Sequence, residues 1–171
     1  MKSIASLILF LTLCGPLSAQ MQSSQEESTT VYYCIRHAEK DRSNADNKNP
    51  DLTQAGLERA ENWAKVFSTV DFDAVYSSDY NRTQQTAAPT AASKGLEVLS
   101  YNPRDLYNKD FAAATDGKTV LVVGHSNTTP VFVNAVLGEE KYPWMADDNN
   151  GGLYIVTKVG ETVSVQIVQI N

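Results

Sequence analysis

The chain has 171 residues, of which 42% are hydrophobic, and its formal net charge at pH 7 is −6. This length fits one domain that can bury a sizeable core. The acidic balance disfavours nucleic acids and anionic membrane surfaces as partners, because both carry dense negative charge.

The first 19 residues have the pattern of a secretion signal. Lys2 gives a positive start, and the apolar segment that follows is too short to span a bilayer as a mature helix. Ala19 offers a small residue for cleavage, and residues 20–30 are polar and aperiodic, which is typical of a flexible leader. The alternative, an uncleaved anchor, lacks a long apolar stretch with a basic flank. We therefore expect an exported protein, periplasmic or secreted, with no stable membrane insertion and a single domain at residues 31–171.

Strands and helices are predicted to alternate along this domain. In the first predicted helix Thr53 is the N-cap, and five apolar residues from Leu57 to Phe67 recur at helical spacing. The polar residues 40–50 read as a mobile loop. Strands are predicted at residues 31–35, 72–77, 96–100 and 119–123, further helices at 80–93 and 129–137, and a terminal hairpin at 154–159 and 163–170. This order predicts a three-layer α/β/α sandwich whose sheet is mostly parallel with an antiparallel edge.

The only two histidines of the chain each follow a predicted buried strand. His37 stands in Arg36-His37-Ala38-Glu39, and His125 follows Gly124. Open α/β sheets bind their ligands at the carboxyl ends of the strands, so both imidazoles are expected at one site. A histidine beside an arginine at such an edge indicates a nucleophile that faces a phosphate.

Four ordered motifs resemble the histidine phosphatase superfamily, which is phosphoglycerate mutase-like. They are Arg36-His37-Ala38-Glu39, Leu52-Thr53-Gln54-Ala55-Gly56, Ser78-x-x-x-Arg82-x-x-Gln85-Thr86-Ala87 and Val123-Gly124-His125. The resemblance implies a phosphoglycerate mutase-like fold, a phosphohistidine intermediate on His37 and phosphate binding by Arg36 and Arg82. It also implies that His125 donates to a phosphoryl oxygen in the transition state, and that no metal or other cofactor is needed.

The chemistry of these residue types agrees with the resemblance. Guanidinium groups meet phosphate oxygens in a bidentate fork, and a neutral imidazole can attack phosphorus and later leave. Asn127, near the start of the following helix, is a further candidate donor to the phosphate. The alternatives are structural, hydrogen-bonded histidines and, for Arg82, an ordinary solvated position on a helix.

The proton donor is the least defined part of the predicted site. Ser126 stands where some members of the family carry an aspartate after the second histidine, and Ala38, Asp79 and Tyr80 also depart from the usual motifs. The acidic residues between Arg82 and His125 are therefore candidates. They are Glu97, Asp105, Asp110 and Asp116, of which Asp105 is the first choice, with Glu39 as a second option outside this interval.

The leading functional hypothesis is an exported, metal-independent phosphatase that acts on a small phosphorylated substrate. Only 42 residues separate Arg82 from His125, which predicts a compact member without a large cap insertion. Two alternatives from this fold stay open: a phosphohistidine-protein phosphatase, and a non-catalytic protein that binds phosphate or a phospholigand. A metal-dependent hydrolase is disfavoured, because two histidines and no His-x-x-x-His spacing offer few ligands.

Overall fold

A six-stranded mixed sheet forms the centre of the computed structural model, which describes residues 27–170. The strands are β1 (Thr29–Arg36), β2 (Ala74–Ser78), β3 (Val98–Tyr101), β4 (Thr119–Gly124), β5 (Gly152–Val159) and β6 (Thr162–Gln169). Their order in the sheet is β3-β2-β4-β1-β5-β6. The first four strands in that order are parallel, whereas β5 is antiparallel to β1 and to β6. The predicted parallel sheet with an antiparallel edge is therefore confirmed.

Four helices cover the two faces of this sheet and complete the predicted three layers. The helices are α1 (Gln54–Val66), α2 (Asn81–Ser93), α3 (Lys109–Thr115) and α4 (Thr128–Leu137). Helices α1 and α2 contribute to one hydrophobic cluster, and α3 and α4 contribute to a second cluster on the other face.

The central strands bury both of their faces, which explains their continuous apolar runs. Along β1, Tyr32 and Cys34 join the cluster under α3 and α4, whereas Ile35 joins the cluster under α1 and α2. Successive side chains of a strand point to opposite faces, so this division follows from the period of two. Cys34 is fully buried.

The main differences from the predicted elements lie at their ends. β1 begins at Thr29, inside the stretch predicted as leader, because Thr29 and Thr30 continue the pairing with β5. Leu57 was expected in the core but is 44% exposed. The buried stripe of α1 runs through Gly56, Ala60 and Trp63, and this phase turns Leu57 toward solvent. The predicted signal peptide and most of the leader lie outside the described residues.

The segment that follows β1 is fixed by the first turn of α1. Thr53 caps the helix by accepting a hydrogen bond from Gly56 N at 3.1 Å, and its own N–H donates to Glu39 O at 2.8 Å. A Cβ atom on Gly56 would lie only 2.3 Å from Glu39 O, so this position has room for glycine alone. The Leu52–Gly56 motif therefore fixes the backbone at Glu39, two residues after His37.

We predict that Gly56→Ala destabilises the protein by about 1–3 kcal/mol, because the added methyl group must displace the Glu39 backbone. Urea unfolding followed by circular dichroism measures the change. Gln54→Ala, at an exposed position of the same helical turn, is the control and should stay close to wild type. Equal stability of Gly56→Ala and wild type would contradict the close approach.

Candidate active site

The pairing of β1 with β4 brings the two histidines together. Arg36 is opposite Gly124 in the parallel register, and His37 N donates to Gly124 O at 2.9 Å. The next residues along each strand, His37 and His125, therefore leave the sheet side by side. Their ring centres are 5.4 Å apart, with an angle of 68° between the ring planes.

His37 is a buried imidazole that is held in one orientation. The side chain is close to the backbone, with Nδ1 2.7 Å from Ala38 O, and the residue is only 3% exposed. Because a carbonyl oxygen can only accept, Nδ1 carries the hydrogen and the lone pair of the neutral ring is on Nε2. Burial, then the charges of His125, Arg36 and Arg82, lower the pKa of His37 to about 3. At neutral pH the ring is therefore unprotonated, as a nucleophile must be.

His125 is held by the motif at the end of β2. Its Nε2 atom lies 2.9 Å from Ser78 Oγ, which in turn contacts Thr83. The ring of Tyr80 packs edge-on against the imidazole at a centroid distance of 5.1 Å. Burial, together with the nearby charges of the site's cationic side chains, lowers the pKa of His125 to about 4.

Arg36 is a buried guanidinium with one side tied to the segment before β5. Nη1 donates to Ala146 O and Nη2 donates to Asp147 Oδ1, both at 2.8 Å. Arg36 is 1% exposed, and its Nε is buried without an acceptor among the described residues. One N–H of this cation thus remains for an anion from outside the chain.

Arg82 has fewer hydrogen-bond and charge partners than Arg36 among the described residues. Its Nε and Nη1 atoms are buried and have no acceptor among residues 27–170, and no carboxylate of that range forms an ion pair with it. Its guanidinium carbon lies 4.5 Å from the centre of the Tyr80 ring. Burial lowers the pKa of Arg82. A buried donor left without a partner is costly, so this site is arranged to receive an acceptor such as a phosphoryl oxygen.

A cavity of about 360 Å³ joins most of the predicted site residues. Arg36, His37, Arg82, His125 and Asn127 all line it, so the structure brings together every predicted catalytic and phosphate-binding residue except the proton donor. The other lining residues are Lys40, Tyr80, Pro103, Arg104, Ser126, Thr128 and Asp147.

The expected acids lie elsewhere. Asp105 is exposed, does not line the cavity, and accepts a hydrogen bond from Asn108 Nδ2 at 3.0 Å. Glu39 pairs with Arg59 at 2.8 Å and lines a neighbouring cavity with His37 and Lys40. The geometry therefore does not support Asp105 as a donor to a group bound beside His37.

Asp147 is the carboxylate that the sequence reasoning missed. Among the described residues that line the cavity it is the single acidic one, and it bridges two arginines. Its Oδ1 lies 2.8 Å from Arg36 Nη2, and its Oδ2 lies 2.8 Å from Arg42 Nη2. These arginines lower the pKa of Asp147 against the opposing effect of desolvation. Its signal in the sequence is the polar run 146–151 directly before β5. Because β5 is antiparallel to β1, it begins at the edge where β1 ends.

The remaining motif residues hold the loop that follows β1. Thr86 Oγ1 accepts a hydrogen bond from Ala38 N at 2.9 Å, and Gln85 Oε1 accepts one from Leu52 N at 2.7 Å. The loop expected to be mobile at residues 40–50 is also joined to α2, because Asn49 and Asn81 exchange two hydrogen bonds. Helix α2 thus presents Arg82 and fixes the segment that carries His37.

Comparison with known proteins agrees with this geometry. A family model described as "Histidine phosphatase superfamily (branch 1)" matches residues 32–102. A search of curated proteins gives no match.

Solved structures show the same fold. Phosphoglycerate mutase from Bacillus anthracis str. Sterne aligns with a TM-score of 0.63 at 15% identity, covering 84% of this chain and 94% of that chain. A mutant phosphoserine phosphatase from Entamoeba histolytica in complex with phosphoserine has a TM-score of 0.62 at 16% identity, with coverages of 80% and 94%. The proposed phosphohistidine phosphatase SixA from Agrobacterium tumefaciens has a TM-score of 0.58 at 21% identity, with coverages of 82% and 98%.

The fold is therefore that of the phosphoglycerate mutase-like α/β/α proteins. Residues 32–102 match the model of the histidine phosphatase superfamily, and the shared fold agrees with that match. Over residues 27–170, no three His, Cys, Asp or Glu side chains are grouped so that they could hold a metal ion. No helix in that range is both long and apolar enough to cross a membrane.

The two histidines of the site should make the protein less stable in acid. Their folded-state pKa values of about 3 and about 4 lie below the pKa of a histidine in the unfolded chain. At pH values between the folded-state and the unfolded-state pKa, the unfolded protein therefore binds more protons than the folded protein. Lowering the pH from 7 to 5 should therefore reduce the free energy of unfolding by roughly 1–2 kcal/mol per histidine.

Urea titrations at the two pH values test this, with the double variant His37→Gln, His125→Gln, which contains no histidine, as the comparison. The double variant should lose less stability than wild type on acidification. An equal loss in both proteins would show that the histidines are not buried in their neutral forms.

Proposed function

We propose that the protein is a phosphatase that hydrolyses phosphomonoesters through a phosphohistidine on His37. One observation carries this proposal: Arg36 and Arg82 present buried N–H groups, beside a neutral imidazole, for which residues 27–170 offer no acceptor. A phosphoryl group supplies the acceptor oxygens that both guanidinium groups lack, and it supplies the electrophile that the imidazole can attack.

In the first step, the lone pair of His37 Nε2 attacks phosphorus and the bond from phosphorus to the ester oxygen breaks. The ester oxygen leaves with the electron pair of that bond and takes up a proton. Arg36, Arg82 and the first turn of α4, including Asn127, stabilise the charge on the three remaining phosphoryl oxygens. A bound dianion also raises the pKa of His125, so that a protonated His125 donates to one of these oxygens.

In the second step, water attacks the phosphorus of the phosphohistidine. The bond from phosphorus to Nε2 breaks, its electron pair returns to the imidazole, and the proton of the water is taken by a base. Inorganic phosphate then leaves. The hydrogen bond from Nδ1 to Ala38 O keeps the ring in the same tautomer throughout, which prepares it for the next turnover.

Asp147 is the proposed proton donor in place of Asp105. Arg36 contacts Asp147 through Nη2 and has Nε free for the phosphoryl group, so one guanidinium brings the carboxyl group next to the bound ester. The negative charge of that ester raises the pKa of the neighbouring carboxyl group and favours its protonated form. Asp147 then gives its proton to the departing oxygen and, as a carboxylate, accepts one from the attacking water.

The proposal extends to the setting in which the enzyme works. The signal-like residues 1–19 support export to a periplasm or to the exterior, where the substrate would be a small or surface-linked phosphomonoester. Two other activities of the same fold compete. The similarity to SixA favours dephosphorylation of phosphohistidine in proteins, and the two ion pairs that hold Asp147 as a carboxylate favour binding of a phospholigand without turnover.

His37→Ala should abolish turnover of aryl phosphates by more than about 10³-fold, because no other side chain can replace the nucleophile. Wild type quenched during turnover of a phosphorus-labelled ester should carry an acid-labile, alkali-stable label on His37, and the variant should carry none. Circular dichroism confirms the fold of the variant, and a chelator added to wild type should leave activity unchanged. A folded His37→Ala enzyme with near-native turnover would overturn the assignment, and phosphate binding without any turnover in wild type would favour the binding protein.

Asp147→Asn should slow alkyl phosphates by ~10²–10⁴-fold while it slows activated aryl phosphates far less, because only an alkoxide needs a proton to leave. Asp105→Asn is the matched control and should behave as wild type with both substrates. The dependence on the leaving group is the decisive readout, since loss of the Arg36 contact alone would slow both substrates equally. An equal loss with both substrates would assign Asp147 a positioning role.

A further inference from the structure

The residues that line the cavity carry more positive charge than a phosphomonoester neutralises. Four cationic side chains line the cavity against the one carboxylate of Asp147, although the whole chain has a net charge of −6. Both histidines have lowered pKa values and add no charge at neutral pH. A phosphomonoester brings about −1.5 to −2 charges. Positive charge therefore remains after the phosphoryl group is bound.

The four cations form an inner and an outer pair. Arg36 is buried and Arg82 has buried N–H groups, and both lie beside the histidines. Lys40 is half-buried and Arg104 is exposed, so this second pair lies nearer to solvent. The inner pair suffices for one phosphoryl group, which leaves the outer pair without a role in the chemistry at phosphorus.

Neither member of the outer pair forms an ion pair with a carboxylate of the described residues. The ion pairs among residues 27–170 are those of Arg36 and Arg42 with Asp147 and of Arg59 with Glu39, so Lys40 and Arg104 take part in none. Burial, then the charges of Arg82 and Arg42, lower the pKa of Lys40. The ammonium group therefore lies in a positive field that an anion would relieve.

The two outer cations flank the site from opposite sides. Lys40 follows β1 and Arg104 follows β3, and β4 and β2 lie between these strands in the sheet. A ligand that extends from the histidines toward solvent therefore passes between an ammonium group and a guanidinium group. The part of the substrate in this position is its leaving group.

We propose that the substrate of this enzyme carries a second anionic group, a carboxylate or a further phosphate, on its leaving group, and that Lys40 and Arg104 bind it. The inference rests on the proposed phosphatase function and specifies its substrate class. A neutral leaving group would leave both cations uncompensated, and a cationic one would be repelled by them.

A series of four alkyl phosphates tests the proposal: propyl phosphate and its analogues with a terminal carboxylate, a terminal phosphate or a terminal ammonium group. The two analogues with a second anion should have kcat/KM values at least about tenfold above that of propyl phosphate, and the ammonium analogue should be the poorest. Lys40→Gln and Arg104→Gln should each reduce the preference for the anionic analogues. Turnover of propyl phosphate should change much less. Lys65→Gln, an exposed position of α1 that does not line the cavity, is the control and should keep the full preference.

The outcomes separate this proposal from the function on which it rests. Equal kcat/KM for the neutral and the anionic substrates, or a preference that survives both substitutions, would overturn the inference and leave the phosphatase intact. Absence of turnover with all four compounds, together with absence of a phosphohistidine, would instead refute the proposed function.

Discussion

The parallel pairing of β1 with β4 is the interaction on which the site depends. Arg36 and Gly124 occupy the same register position, so the residues that follow them leave the sheet together. A shift of the pairing by one residue would turn the side chains of one strand to the other face and separate the histidines. The apolar residues on both faces of these strands fix the register, because each alternate side chain is committed to one of the two hydrophobic clusters. The core therefore determines the distance between the two imidazoles.

The cationic groups in the cavity destabilise the folded protein and favour the binding of an anion. Taking a guanidinium group out of water is costly unless hydrogen bonds or an opposite charge compensate it. Arg36 is partly compensated by Ala146 O and Asp147, whereas Arg82 has the face of the Tyr80 ring and no carboxylate among the described residues. The lowered pKa values of the two histidines arise from the same burial and the same cations. An anion that enters this cavity relieves all of these costs together, which explains why the fold tolerates them.

Much of the fold and site could be predicted because local sequence and global structure agree. The strands are apolar runs that end at His37 and His125, and the rule that ligands bind at the carboxyl ends of strands then places both residues at one edge. Leu57 was misplaced because apolar spacing gives the period of a helix but leaves its phase open when Gly56 and Ala60 are small enough to form the buried stripe. Asp105 was preferred from its position between two motifs. The chain direction of the loop before α3, which decides where a carboxylate points, has no periodic signal.

Asp147 could not be found by the same reasoning, because it lies before an antiparallel strand and does not follow a parallel one. The parallel strands present their carboxyl ends to the cavity, but β5 runs in the opposite direction and presents its amino end. Residues that precede an antiparallel strand therefore meet residues that follow parallel ones, and the segment before β5 contacts Arg36 through Ala146 and Asp147. Different elements of the fold therefore contribute different parts of the site. The parallel strands carry the two histidines at their carboxyl ends, whereas the loops after β1 and β3 and the segment before β5 bring Lys40, Arg104 and Asp147 to the cavity. Substrate preference can therefore change in these loops without altering the register that sets the geometry of the histidines.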